Sequence, residues 1–309
     1  MKGWKHVPCM VGIATLVAIS AVSAQIQYAT GQNVAPIFEG WMKNADGSID
    51  LVFGYLNRNW EEVLHIPIGP DNTVQPGGPD RGQPTVFVPR RIAQPPGERR
   101  QQFVFRVRLP KEWRRDQEVT WTVTAHGRTD RAVGHLDPLL EMDNDVIAMN
   151  RGGGLGAEPN QPPAVTLTAS VQKLTLPGTV TLTALVTDDG RPVQRGGGGG
   201  ATPSTPAAST SPTRGTAPVP GADSRIPGLH VRWVHYRGAG QVTFDPPRSP
   251  VAAQGSAIRD GKAVTSATFS QPGNYTLRAF ADDTSLFATA EVTVTVAAGA
   301  AAGEKANRP

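Results

Sequence analysis

Stretch after stretch of this sequence alternates apolar and polar residues with a period of two, the spacing of a strand buried on one face and not that of a helix. Ile49, Leu51 and Phe53 alternate with Ser48, Asp50 and Val52. Phe103, Phe105 and Val107 alternate with Val104, Arg106 and Arg108, and Val119, Trp121 and Val123 with Thr120, Thr122 and Thr124. Two shorter runs, 63–66 and 85–88, end at proline, which cannot continue a ladder. Further on, Val165, Leu167, Ala169 and Val171, then Val180, Leu182, Ala184 and Val186, then Val231 and Trp233, and finally Val292, Val294 and Val296 define inward faces. Turn chemistry separates the runs: Asn44-Ala45-Asp46-Gly47, Gly69-Pro70-Asp71-Asn72, Gly77-Gly78-Pro79-Asp80 and Pro272-Gly273-Asn274-Tyr275. The expectation is an all-β chain of two immunoglobulin-like β-sandwich domains in tandem, with Tyr275 as a tyrosine corner. One segment, 138–149, reads instead as a short helix with Leu139, Leu140, Met142 and Val146 on one face.

Breaks in composition divide the chain. Arg151-Gly152-Gly153-Gly154-Leu155-Gly156, followed by Pro159, Pro162 and Pro163, makes 151–163 a Gly/Pro linker between an N-terminal sandwich, 25–150, and a second sandwich, 164–297. Within the second, 191–227 contains the glycines 196–200 and a Pro/Ser/Thr/Ala tract with too little apolar surface to offset its ordering entropy, so it reads as a disordered insertion. The end, 298–309, reads as a loose tail. At the start, Lys2, Lys5 and His6 precede the apolar run 11–21 and the small residues Val22-Ser23-Ala24, the pattern of a signal peptide over 1–24. The run is shorter than the roughly 18 to 20 residues of a membrane span and is diluted by Gly12, Thr15 and Ser20. Cys9 lies ahead of it, the wrong side for lipid attachment. The product is therefore expected to be secreted, periplasmic or otherwise in the cell envelope, with no transmembrane segment after cleavage.

Cys9 is the single cysteine, so its loss with the leader excludes a disulfide framework, a zinc–thiolate site and a thiol nucleophile together. Both cores must hold by packing. Loss of Lys2 and Lys5 takes the formal charge from +4 to +2, and no cluster of basic residues interleaves with aromatics as a nucleic-acid surface requires.

The run from Ala267 through Gly273-Asn274-Tyr275 to Asp282-Asp283, followed by Glu291-Val292-Thr293-Val294-Thr295-Val296, resembles the last two strands of polycystic-kidney-disease-type (PKD-like) immunoglobulin modules. Val180 to Gly190 is similar to an early strand of that module, and Val231-Arg232-Trp233 takes the place of its central tryptophan strand. The likeness spans about 162–297 and departs at Tyr236-Arg237-Gly238-Ala239-Gly240, where the family usually has a Gly-Asp-Gly turn. It implies an extracellular, non-catalytic spacer or binding unit. In the first half, Glu39-Gly40-Trp41, Asp46-Gly47-Ser48 and 53–59 resemble a pattern of uncharacterised exported bacterial proteins, which implies no activity.

Catalytic signatures are missing from the sequence: there is no Gly-x-Ser-x-Gly elbow and no His-Glu-x-x-His. His65, His126 and His135 are scattered, and His230 and His235, five apart on one strand, point to opposite faces. The segment 255–262 has the wrong glycine spacing for a phosphate loop. Asp188-Asp189 and Asp282-Asp283 stand at strand ends, where hard oxygen ligands can gather on calcium or where aspartates cap turns through their own backbone. Trp60 and Trp113, in polar loops, are the candidate ligand-binding aromatics, against the alternative that each ring folds over its own core. These observations lead to a non-enzymatic, cofactor-free protein that binds a protein or glycan partner or acts as a structural spacer, with a carbohydrate-binding accessory module as the alternative. A third reading, an enzyme built from Glu61, Glu62, Asp143 and Asp145, requires two of those carboxyls to converge in a cleft.

Overall fold

The computed structural model describes residues 28–89, 100–151, 159–192, 228–253 and 255–299. The expected leader, nearly all of the expected insertion and most of the tail lie outside the described residues.

Among the described residues the first half has eight strands: β1 (Val34–Lys43), β2 (Ile49–Asn57), β3 (Leu64–His65), β4 (Asn72–Gln75), β5 (Val86–Phe87), β6 (Gln101–Leu109), β7 (Val119–Ala125) and β8 (Arg128–Gly134). They pair as β1-β2-β6 and β4-β7-β8, with β3-β5 as a short third ladder. Leu51, Phe53, Phe105, Val107, Val119, Trp121 and Val123, all on expected inward positions, meet in one core. Trp121 stands edge-on to Phe105 at 4.8 Å between ring centres. Its indole N–H donates to Asn72 Oδ1 at 3.0 Å, and the Asn72 amide in turn donates to the carbonyls of Ile66 and Pro84. A fully buried indole thus has its polar atom satisfied, and truncation to alanine costs about 3–5 kcal/mol.

Two expectations change here. Phe103 does not join Phe105 and Val107 in that core. The β2–β6 register slips between Phe53 and Tyr55, Phe103 takes φ 52, and its ring goes to the other side of the sheet, with Val52, Met142, Ile147, Ala148 and Leu286. A one-residue slip reverses which face a side chain occupies. As a result β2 is covered on both faces, and the buried Asp50 on its outer face accepts from Arg108 and lies 3.7 Å from Arg106. The expected helix over 138–149 is two pieces, a 3₁₀ turn at Pro138–Leu140 and α1 (Asn144–Asn150). Between them the Met142 N–H bonds to Trp41 O at 2.8 Å, tying the chain to β1, and Asp143 restarts the helix by accepting from Val146 N at 2.8 Å. Leu139 is left 90 % exposed, while Ile147 and Ala148 face inward.

The second half contains β9 (Ala164–Ala169), β10 (Lys173–Thr175), β11 (Thr179–Asp188), β12 (Leu229–Arg237), β13 (Val242–Asp245), β14 (Arg248–Ala252), β15 (Ile258–Phe269), β16 (Gly273–Asp282) and β17 (Phe287–Ala297). One sheet runs β10-β17-β16-β12-β14, with β10 parallel to β17, and faces a second that runs β13-β15-β11-β9. Val180, Leu182, Ala184 and Val186 pack against Val231, Trp233, Leu277 and Val294. Val171, expected inward, is 44 % exposed beyond the end of β9. The Tyr275 hydroxyl donates to Gln271 O at 2.6 Å, closing the expected tyrosine corner. With the buried Trp233 on a central strand, this is an immunoglobulin-like sandwich.

Candidate functional site

The contacts that tie the two sandwiches together concentrate on the segment 236–238, inside the stretch that departs from the PKD-like pattern. In β12 the inward positions are Val231 and Trp233, so alternation turns Tyr236 outward, and the ladder to β16 shifts just there, between His235 and Arg237. Tyr236 enters the core of the first sandwich, and its hydroxyl donates to Gly82 O. Its carbonyl accepts from Thr85 N at 3.2 Å. The Arg237 guanidinium grips Asp80 through two hydrogen bonds of 2.8 and 2.9 Å and reaches Gln83 O at 2.8 Å. That grip is the main reason Asp80 is held below the usual carboxylate range. Gly238 N donates to Thr85 Oγ1 at 3.2 Å, and Gly238 O lies 3.3 Å from His65 Nδ1.

A second contact lies beside it on the same outward face. The Arg278 guanidinium stacks 3.5 Å from the centre of the Tyr236 ring, bonds Glu291 at 2.5 and 2.9 Å, and donates to Val104 O in the first sandwich at 2.5 Å. Cation, ring, carboxylate and backbone carbonyl thus satisfy one another across the seam. A third contact is apolar: Leu286 is buried with Val52, Phe103, Ile147 and Ala148, and the Phe287 ring is 5.7 Å from that of Phe103. Sequence reasoning did not single out Tyr236, Arg237 or Arg278. For Tyr236 and Arg237 the only signal was the departure from the family pattern at 236–240, and Arg278 carried none.

His235 points the other way from Tyr236, between Tyr275 at 5.4 Å and His65 of the first sandwich at 5.8 Å, with a buried Nε2 that has no hydrogen-bond partner. Burial, with His65 adding to it, lowers its pKa to about 4. His230, on the opposite face as expected from the spacing, pairs in register with Asp282.

The four acidic strand-end residues lie toward one end of the second sandwich, and most of their oxygens serve as fasteners. Burial works against the Asp282 carboxylate, but Arg151 at 2.6 Å and His230 outweigh it and hold the group low. Asp283 accepts from Ser285 N, Leu286 N and the Asn160 amide at 2.7, 2.6 and 3.0 Å; burial nevertheless pushes its pKa up to about 6, with the charge of Asp188 adding to the rise. Asp188 accepts from Gly190 N and Asp189 from Gln161 N and Arg191 N. Asp188 Oδ1 and Asn160 Oδ1 are buried without a partner. Among the described residues no three His, Cys, Asp or Glu side chains are grouped so as to hold a metal ion.

The two tryptophans are not brought together by any ring contact among the described residues. Trp113 is half-buried against the first core, its indole nitrogen enclosed without a partner. Trp60 is half-buried where its backbone N–H donates to the carbonyl of Tyr28, itself 53 % exposed. Of the dispersed acids, Glu62 accepts from Gly31 N and meets His126, and Asp143 caps α1. No hydrogen bond joins the Glu61–Glu62 pair to Asp143 or Asp145 among the described residues. No described helix is long and apolar enough to cross a membrane.

No protein-family model matches the chain, so neither resemblance drawn from its sequence has that support. No curated protein matches it either. Among solved structures, the D00-D0 domain of Intimin is similar at 10% identity, with 85% of this chain and 99% of that one covered and a TM-score of 0.24. The Yersinia pseudotuberculosis adhesin InvE is similar at 10% identity, covering 86% and 59%, with a TM-score of 0.24. The serine-rich repeat protein Srr2 from Streptococcus agalactiae gives 10% identity, 90% and 96% coverage and a TM-score of 0.20. Superpositions this loose carry no argument about function.

Proposed function

We propose that the chain is a non-enzymatic secreted or envelope protein that presents its two sandwiches as one stiff body, for protein binding or for spacing. The observation that carries this reading is the Tyr236–Arg278 seam, where an aromatic ring of one sandwich is buried in the core of the other. A buried, hydrogen-bonded seam resists the relative motion that is the default for tethered domains. The test places fluorophores near residues 28 and 299 of the mature chain. A single narrow transfer efficiency is expected, broadened by Tyr236→Ala with Arg278→Ala. A broad distribution in the unaltered chain overturns the stiff-body reading.

A second reading, a carbohydrate-binding accessory module, is favoured by one observation, the partly open Trp60 on backbone paired with the exposed Tyr28. It calls for binding on a glycan panel that Trp60→Ala abolishes; a silent panel removes it.

A further inference from the structure

On the outward face of the five-stranded sheet, near Asp282, cations gather in a way that stability alone does not explain. Arg232 stands in register with Arg248 across β12–β14 and with Phe280 across β12–β16. Like charges directly opposite one another on a sheet are unfavourable. One step along the same face, His230 is in register with Asp282. Arg151, from the end of α1, binds Asp282 through Nη2; its side chain is 10% exposed, and its Nη1 is buried with no hydrogen-bond partner. The Arg232 guanidinium rests 4.5 Å from the centre of the Phe280 ring and makes no hydrogen bond or ion pair with any described residue. Burial lowers its pKa to about 10; Asp282 opposes that fall, while Arg248 and Arg151 add to it. The group stays charged at neutral pH. A half-buried guanidinium beside other cations, stacked on a ring but without a counter-ion of its own, is an unfavourable arrangement that a bound anion relieves.

We propose that this corner is an oxyanion site, in which Arg232 and the free Nη1 of Arg151 donate to a carboxylate or a phosphate-type group lying at the edge of Phe280. The planar guanidinium fork matches both ligand shapes. Asp282 orients Arg151 and is not itself a donor, so it sets the register of the site and limits its net positive charge. The proposal is independent of whether the chain is a spacer or a glycan binder.

The test titrates the full mature chain with sodium phosphate, sodium sulfate and sodium glucuronate at constant ionic strength, with chloride as reference, following the Nε–Hε resonances of arginine. Saturable shifts confined to Arg232 and Arg151 are expected, with affinity reduced at least about tenfold in Arg232→Met and less in Arg232→Lys. Preference for glucuronate identifies an acidic sugar as the source, and preference for phosphate or sulfate a free inorganic group. Shifts no larger than with chloride, or unchanged affinity in Arg232→Met, overturn the site. Because the resonances are read in the unaltered protein, the outcome stands even if Arg232→Met does not fold.

Discussion

His235 and Asp283 are both buried titratable groups pushed toward their neutral forms, and acid acts on them with opposite sign. His235 is 9% exposed and faces His65, Tyr275 and Gly238 with no carboxylate beside it. Its folded pKa of about 4 lies below the ordinary 6.5, so the unfolded chain takes up the proton first. Stability from this group is whole above pH 6.5 and is lost as pH falls toward 4, by at most about 3 kcal/mol. Asp283 is 2% exposed, with a folded pKa of about 6 against the ordinary 3.8. Its charge opposes folding above pH 6, and that opposition fades as pH falls to 3.8. The two trends offset one another in the unaltered chain, so single variants are needed to separate them. Urea unfolding of His235→Phe is expected to lose the acid-side fall. Asp283→Asn is expected to gain up to about 3 kcal/mol at pH 7 and nothing below pH 4, because it removes the buried charge; its side-chain oxygen keeps the Ser285 and Leu286 N–H donors, and its amide can donate to Asn160 Oδ1 once the Asn160 amide, which donates to Asp283, flips. The spacing of His230 and His235 disclosed their opposite faces, but burial of His235 depends on His65, 170 positions away, and no local pattern carries that.

At the scale of elements, alternation located nearly every inward face, and its failures trace to register and caps. Phe103 reads as inward until the slip opposite Tyr55 turns it over, and a slip leaves no mark on a period of two. The 138–149 pattern reads as one helix, yet Asp143 caps a new start within it. The acidic pair at 282–283 was open between metal ligands and turn caps. In the structure Asp282 accepts from Thr284 N at 2.8 Å, and Asp283 from the next two backbone amides, so both carboxylates are engaged in the turn. That turn forces Thr284 to φ 87, in the left-handed region where a β-branched residue is strained. Replacing it should relieve the strain without touching the caps, since only its backbone N–H is used. Thr284→Asn is expected to raise the unfolding free energy by about 1 kcal/mol, read from the urea midpoint at unchanged slope. A lowered midpoint means that the Thr284 side chain makes a contribution larger than its strain.

For the whole molecule, the decisive residues are ones whose sequence context looks like ordinary surface. The outward positions of β12 and β16 carry Arg232, Tyr236, Arg278 and Phe280, a mix that alternation assigns to solvent, because alternation says which side chains leave their own core and not what else covers them. What covers Tyr236 and Arg278 is the first sandwich, so the two halves were legible separately and their seam was not. Gly238 is where that seam tolerates least change. Its φ of +138 favours glycine, and a Cβ there would lie 2.6 Å from Tyr275 Cδ1 and 2.9 Å from His235 Nε2. Tyr275 cannot yield without breaking its bond to Gln271 O, and His235 cannot yield without moving toward His65. The backbone must shift instead, which pulls Gly238 N off Thr85 and moves the neighbouring Tyr236 and Arg237 from their partners. Gly238→Ala is therefore expected to destabilise by about 2 kcal/mol or more and to act on the join between the sandwiches more than on either core. Unfolding followed by Trp121 in the first core and by Trp233 in the second, each isolated by replacing the other tryptophans with phenylalanine, should coincide in the parent and separate into two transitions in the variant. X-ray scattering should show a larger radius of gyration for the variant under conditions where both cores remain folded. Coincident transitions at a lower midpoint would place the damage within the second sandwich and leave the stiffness of the molecule to Arg278 and the Leu286–Phe103 contact.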